Sequence, residues 1–166
     1  MVLSTAVAQL CWPLLAGAAN AVVMENTQTV FKVGKSLTVE EALERLKEGR
    51  KSAQFLLENY DTICQGGGDN VRRYLGTVGI TSGLFGIGKV MSSLAERADD
   101  FVEYTEVSDE VLKSIQQADG SAYMAIFVAT STSQTPPSKY FEDAKIELQR
   151  CIKALDELAL LIDVTY

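Results

Sequence analysis

The stretch PPSKYFEDAKIELQRCIKALDELALLI, residues 136–162, decides the fold. Within it Phe141, Ala144, Leu148, Cys151, Leu155, Leu158 and Ile162 recur at alternating steps of three and four residues. That spacing puts about one apolar side chain per turn on a single stripe, the pattern of a packed helical seam. Glu142, Asp143, Glu147, Asp156 and Glu157 share the rest of the wheel with lysines and read as a solvated face. Pro136 and Pro137 suit a first turn, whose amides have no helical partner. A helix that hides one stripe is not stable alone in water, so it predicts neighbours of the same kind.

The neighbours lie upstream. Thr38 and Glu41 form a capping box, and Val39, Ala42, Leu43, Leu46, Ala53, Leu57 and Tyr60 predict an amphipathic helix over 39–63. Gly49 inside it marks close packing, and the glycines at 66, 67 and 68 stop it. Asp69 is placed to cap a short helix over 70–75. Glycines at 76, 79, 83, 86 and 88 predict an irregular corner near 79–83. A second helical part is predicted from Leu84 to about Thr105, with Val90, Leu94, Ala98, Phe101 and Val102 on its core side. Ser108 is read as the cap of a third helix, in which Val111, Ile115, Ala118, Ala122, Ala125, Ile126 and Ala129 recur. No segment alternates with period two as a half-buried strand does. The expectation is an all-α, up-down-up-down four-helix bundle over 25–166, held by burial of its apolar stripes.

Residues 1–24, MVLSTAVAQLCWPLLAGAANAVVM, contain no charged side chain. The apolar centre, 6–16, has signal-peptide length, and Ala19-Asn20-Ala21 supplies a small-x-small cleavage pattern, although no basic residue precedes it. Pro13 and Asn20 weaken a stretch barely long enough to span a membrane. It is expected to be a targeting or anchoring segment.

Of the 166 residues 47% are hydrophobic and 22% charged, enough for one domain with a real core. The net charge of -7 argues against nucleic acid as a partner. There is no histidine, which removes the commonest general base, the usual triad and imidazole zinc sites. Cysteines at 11, 64 and 151 are too few for a four-thiolate cluster. In the bundle Cys64 and Cys151 are separated by about 16 Å along the helices, beyond the roughly 7 Å that a disulfide allows. No intrachain bridge is expected, and Cys151 is read as a buried seam residue.

The run GLFGIGKV, 83–90, nearly spells a phosphate-binding loop, but Val90 stands where magnesium needs a hydroxyl and no strand precedes it. It is read as a glycine-permitted bend. Asp99, Asp100, Glu103, Glu106, Asp109 and Glu110 read as a solvated acidic face. Tyr60, Tyr74, Tyr104, Tyr123, Tyr140 and Phe127 are taken as core or groove-edge residues rather than pigment ligands. The most distinctive surface segment is 65–73 with its flank: Asp69, Asn70, Arg72, Arg73 and Tyr74 are the candidate docking residues, because arginines make forked contacts with carboxylates. No catalytic, metal or cofactor site is expected.

The Ala19-Asn20-Ala21 leader, the stretch GDNVRRYLGTVG at 68–79 and the all-helical remainder together resemble extrinsic photosystem II subunits of the PsbQ type from algae with red-lineage plastids. The resemblance spans about residues 39–162, and its specific part is 68–79. It implies a non-catalytic four-helix bundle in the chloroplast thylakoid lumen, peripherally attached to the thylakoid membrane. Its implied partners are the photosystem II core and other extrinsic subunits, and its implied role is to help retain the calcium and chloride of water oxidation. Arg72 and Arg73 are the docking positions that the resemblance carries over. A helical subunit of photosystem I or its antenna, or a free assembly or binding module of the lumen, would share these features.

Overall fold

The first helix begins where the capping box puts it. In the computed structural model, Thr38 Oγ1 accepts from the Glu41 amide at 3.2 Å, and the Glu41 carboxylate accepts from the Thr38 amide at 2.9 Å. Residues 36–131 and 134–166 are described, so the apolar segment at 1–24 lies outside them. The elements are α1 (Val39–Glu58), α2 (Tyr60–Gln65), α3 (Gly68–Tyr74), α4 (Ile87–Leu94), a 3-10 turn (Ala95–Arg97), α5 (Phe101–Ala129) and α6 (Pro137–Leu160). There is no strand among the described residues, and the protein is all-helical there.

Helix α6 carries the predicted seam. Ala144, Leu148, Cys151, Leu155, Leu158 and Ile162 are buried, and Phe141 is half-buried against the same core. Its main neighbour is α5, which presents Val111, Ser114, Ile115, Ala118, Ala122 and Ala125. Small residues at these positions let two long helices approach closely. The Ser114 hydroxyl is satisfied locally by donating to Val111 O at 2.9 Å.

The helix expected over 39–63 is divided at Asn59, whose side-chain amide donates to Phe55 O and ends α1 before α2 resumes. Two pairings fix this arm on α6. Arg50 meets Asp156 through two hydrogen bonds of 2.6 and 3.1 Å, and the Tyr60 hydroxyl donates to Phe141 O at 2.8 Å. Val39 is exposed, and Leu43 and Leu57 are only half-buried. The buried face is instead Ala42, Arg45, Leu46, Gly49, Ser52, Ala53 and Leu56, because α1 must cover the glycine corner as well as α6.

That corner occupies residues 75–86, wider than the 79–83 expected, and takes the first three residues of the predicted second helical part. It is seated on α1 by polar contacts. The Gly83 amide donates to Ser52 Oγ at 3.2 Å, and Arg45 Nη2 donates to Phe85 O at 3.1 Å. A Cβ on Gly83 would sit 2.7 Å from Glu48 O, so the glycine is required by close backbone approach. Gly86, at φ 71°, turns the chain into α4. Residues 83–86 are therefore a bend packed on α1, whereas 87–90 form the first turn of α4, with Lys89 exposed.

The helical part expected from Leu84 to about Thr105 is broken in two. It ends at Arg97, Ala98 is extended, and Asp100 caps a new helix by accepting from the Val102 and Glu103 amides at 2.9 Å each. Ser108 lies inside α5 and caps nothing. The restart changes the helical phase. Phe101 and Val102, expected in the core, are 61% and 65% exposed, and Tyr104 is buried in their place with its hydroxyl on Met91 O at 2.8 Å. Gly120 leaves α5 unbroken, as expected.

Candidate docking surface

The candidate residues of α3 divide into inward and outward sets. Gly68 lies so close to α5 that an added Cβ would collide with the Ala122 carbonyl. This contact orients α3, and Arg72 is turned toward α5 by it. Arg72 Nε donates to Asp119 Oδ1 at 2.8 Å, and Nη1 donates to Asp69 Oδ1 at 3.1 Å. The guanidinium also lies 5.1 Å from the centre of the Tyr123 ring. The Thr77 hydroxyl makes a short contact with the same Asp119 oxygen, and the Thr77 and Val78 amides close on Arg72 O. The hydrogen bond that Arg72 donates to Asp119 raises the Arg72 pKa above its already high ordinary value, so the charge is permanent.

Thus Asp69, Arg72 and Thr77 fasten α3 to α5. Tyr74 is half-buried and stacks on Phe55 with ring centres 5.9 Å apart. Asn70 is half-buried, with its amide on Gly67 O. Arg73 projects into solvent, and Asp69, although paired with Arg72, is exposed as well.

A second surface, between α5 and α6, escaped the sequence reading. It is a groove of about 640 Å3 whose lining includes Gln117, Met124, Tyr140, Ile146, Glu147 and Arg150. Of the lining residues Met124 and Ile146 are 38% and 47% exposed; elsewhere on α5 Phe127 is 60% exposed, and Tyr123, 53% exposed, lies under the Arg72 guanidinium. Met124 and Phe127 lie off the core stripe of Ala118, Ala122 and Ala125, and form a second apolar stripe on the same helix. That second stripe was the available signal. Glu147 Oε1 accepts from Arg150 at 2.9 Å, whereas Oε2 is buried without a hydrogen-bond partner among the described residues.

Charge is unevenly shared between the layers. Residues 99–166, which include α5 and α6, hold thirteen Asp or Glu against five Lys or Arg. Residues 36–98 hold eight of each. The acidic run at the start of α5 is exposed throughout, as a solvated face should be.

Cys64 is half-buried and Cys151 buried, and both are free thiols. Burial pushes the Cys151 thiol up to about 12, despite opposing effects of Ser114 and Arg50. A thiol in that state is packing material rather than a nucleophile. Among the described residues no group of three or more His, Cys, Asp or Glu is placed to hold a metal ion, and no helix is long and apolar enough to cross a membrane. Compared with protein-family models, curated proteins and solved structures, the chain matches none of them.

Proposed function

We propose that the protein is a non-catalytic extrinsic subunit of photosystem II, docking on its lumenal side and stabilising the oxygen-evolving complex. The observation that carries this reading is the stretch at 68–79, on which the resemblance rests most specifically. Its Asp69, Arg72 and Thr77 belong to one clasp on α5, while Arg73 beside them faces outward. In this reading the clasp holds α3 rigid and Arg73 meets an acidic surface of the partner, where a forked cationic contact suits a carboxylate. The helices then count as four alternating arms: α1 with α2, the broken arm from α3 to α4, α5, and α6. The pairings of Arg50 with Asp156 and Tyr60 with Phe141 support opposite directions for the first and last arms. The apolar segment at 1–24 serves delivery to the thylakoid lumen or contact with its membrane.

The open α5–α6 groove favours a second reading, a free helical binding or assembly module of the same compartment. Separation of native thylakoid complexes on a density gradient tests both. A subunit migrates in constant proportion with photosystem II and is released by salt. Migration with photosystem I or its antenna, or free migration at the top of the gradient, rejects the photosystem II assignment.

A further inference from the structure

We propose that the tip of the glycine corner, with Ile80 beside the end of α3 that carries Arg73, is the point at which this chain docks, and that the partner protein offers it an apolar pocket bordered by carboxylates. The inference rests on the reading of this chain as a docking subunit and names the chemistry of the surface it meets. Ile80 is 73% exposed, on a loop tied down on both sides. On one side the Gly76 amide donates to Arg73 O at 3.2 Å, and the Thr77 and Val78 amides donate to Arg72 O at 3.2 and 3.4 Å. On the other the Ser82 hydroxyl donates to Tyr74 O at 2.5 Å. Ile80 is two residues from Val78 and two from Ser82, so it stands within about 7 Å of both anchors, beside the C-terminal end of α3. Gly79, at φ 78°, makes the turn that carries the chain into Ile80. The Thr77 hydroxyl on Asp119 fixes the base of the loop to α5. An apolar side chain held out on a braced loop loses little freedom when a partner covers it, which suits an anchor.

Charge selects the partner surface. Residues 70–95 hold Arg72, Arg73 and Lys89 and no acid, in a chain whose net charge is -7. Arg72 is paired with Asp119 and Asp69. Arg73 and Lys89 are exposed and make no ion pair among the described residues. Arg73 follows the buried Val71 by two residues, so on the helix it points away from the core. Its guanidinium can therefore make a forked contact with a carboxylate. This basic stretch also orients the acidic chain as it approaches an acidic surface. Ile80 is exposed alone on the tip, because Val78 is half-buried. One aliphatic side chain offers too little area to hold the chain on a bilayer by insertion, whereas a fitted protein pocket buries it fully.

The test is rebinding of the full chain to photosystem II membranes stripped of their extrinsic subunits, using variants at exposed sites whose fold is checked by circular dichroism. Ile80→Ser is expected to weaken binding about tenfold or more, the effect of leaving such a pocket unfilled. Ile80→Val is expected to keep most of the affinity. Arg73→Gln is expected to weaken binding about threefold or more and to flatten its salt dependence. Leu160→Ser, at a comparably exposed position that is 74% accessible at the end of α6, is expected to bind like the unsubstituted chain. Undiminished binding of Ile80→Ser overturns the proposal and leaves the subunit reading standing. So does equal weakening by Leu160→Ser, which is general apolar adhesion. Binding to vesicles of phosphatidylglycerol and phosphatidylcholine that Ile80→Ser abolishes overturns it by naming a lipid surface instead. Membranes that do not bind the unsubstituted chain overturn the subunit reading and this proposal with it.

Discussion

Arg72 on α3 and Asp119 on α5 share a 2.8 Å hydrogen bond although 47 residues separate them in the chain. Both side chains are about four-fifths buried, so the pair is only weakly screened by water. Asp69 and Thr77 add to it from either side of Arg72. Charged hydrogen bonds of this kind contribute more than a surface ion pair. Arg72→Ala is expected to cost about 2 kcal/mol, and Arg73→Ala less than about 0.5 kcal/mol. Urea unfolding of the two variants checks this, and equal midpoints would remove the clasp from the account.

Two glycines in helices give opposite expectations. Gly68→Ala drives a methyl group into the Ala122 backbone, which has no room to move within α5. It is expected to destabilise by about 2 kcal/mol. Gly120→Ala adds a methyl group with nothing within 4 Å of it, on an exposed stretch of α5. It is expected to stabilise by about 0.5 to 1 kcal/mol, through helix propensity and a less flexible unfolded chain. Thermal melts of both variants decide whether α3 touches α5 at Gly68.

Asp100 sets the start of α5, so Asp100→Ala is expected to cost about 1 kcal/mol. Amide exchange in the first turn, from Val102 to Tyr104, should accelerate in that variant. If exchange changes instead at Ser108, the helix begins where the sequence pattern first suggested.

This boundary shows what the sequence hid. The stripe in α6 and the capping box at Thr38 were legible because each is a local pattern that the core did not override. Asp99 and Asp100 carried a cap signal too, but they sat within an acidic run that reads equally well as a solvated face. The phase of Phe101 and Val102 was lost with that boundary. Gly49 correctly announced close packing, yet its neighbours are the Ile87 side chain and the Gly83 carbonyl rather than another long helix. The partners of Arg45 and Arg72 depend on how the corner and α3 fold back, which no periodicity encodes. The groove joins residues of two helices, so the off-core stripe on α5 signals only one of its sides and says nothing of the other.

Alkaline pH should weaken the fold. The Tyr104 hydroxyl and the Cys151 thiol are each pushed up to about 12, chiefly by burial, from ordinary values of 10.0 and 9.0. The folded chain therefore keeps these protons to higher pH than the unfolded chain does. Their contribution is full below about pH 9 and is lost as pH rises toward 12. Urea midpoints should fall between about pH 9 and pH 11, and Cys151 should react with a thiol reagent only after Cys64. Prompt labelling of Cys151 in the native protein would contradict its place in the α5–α6 seam.

The most direct test of the central claim is rebinding of the purified protein to photosystem II membranes stripped of their extrinsic subunits. Saturable binding at a fixed ratio to reaction centres is expected, with release by salt, recovery of oxygen evolution at low calcium and chloride, and weakening by Arg73→Glu. Failure to bind these membranes, or binding that neither saturates nor restores oxygen evolution, would contradict it.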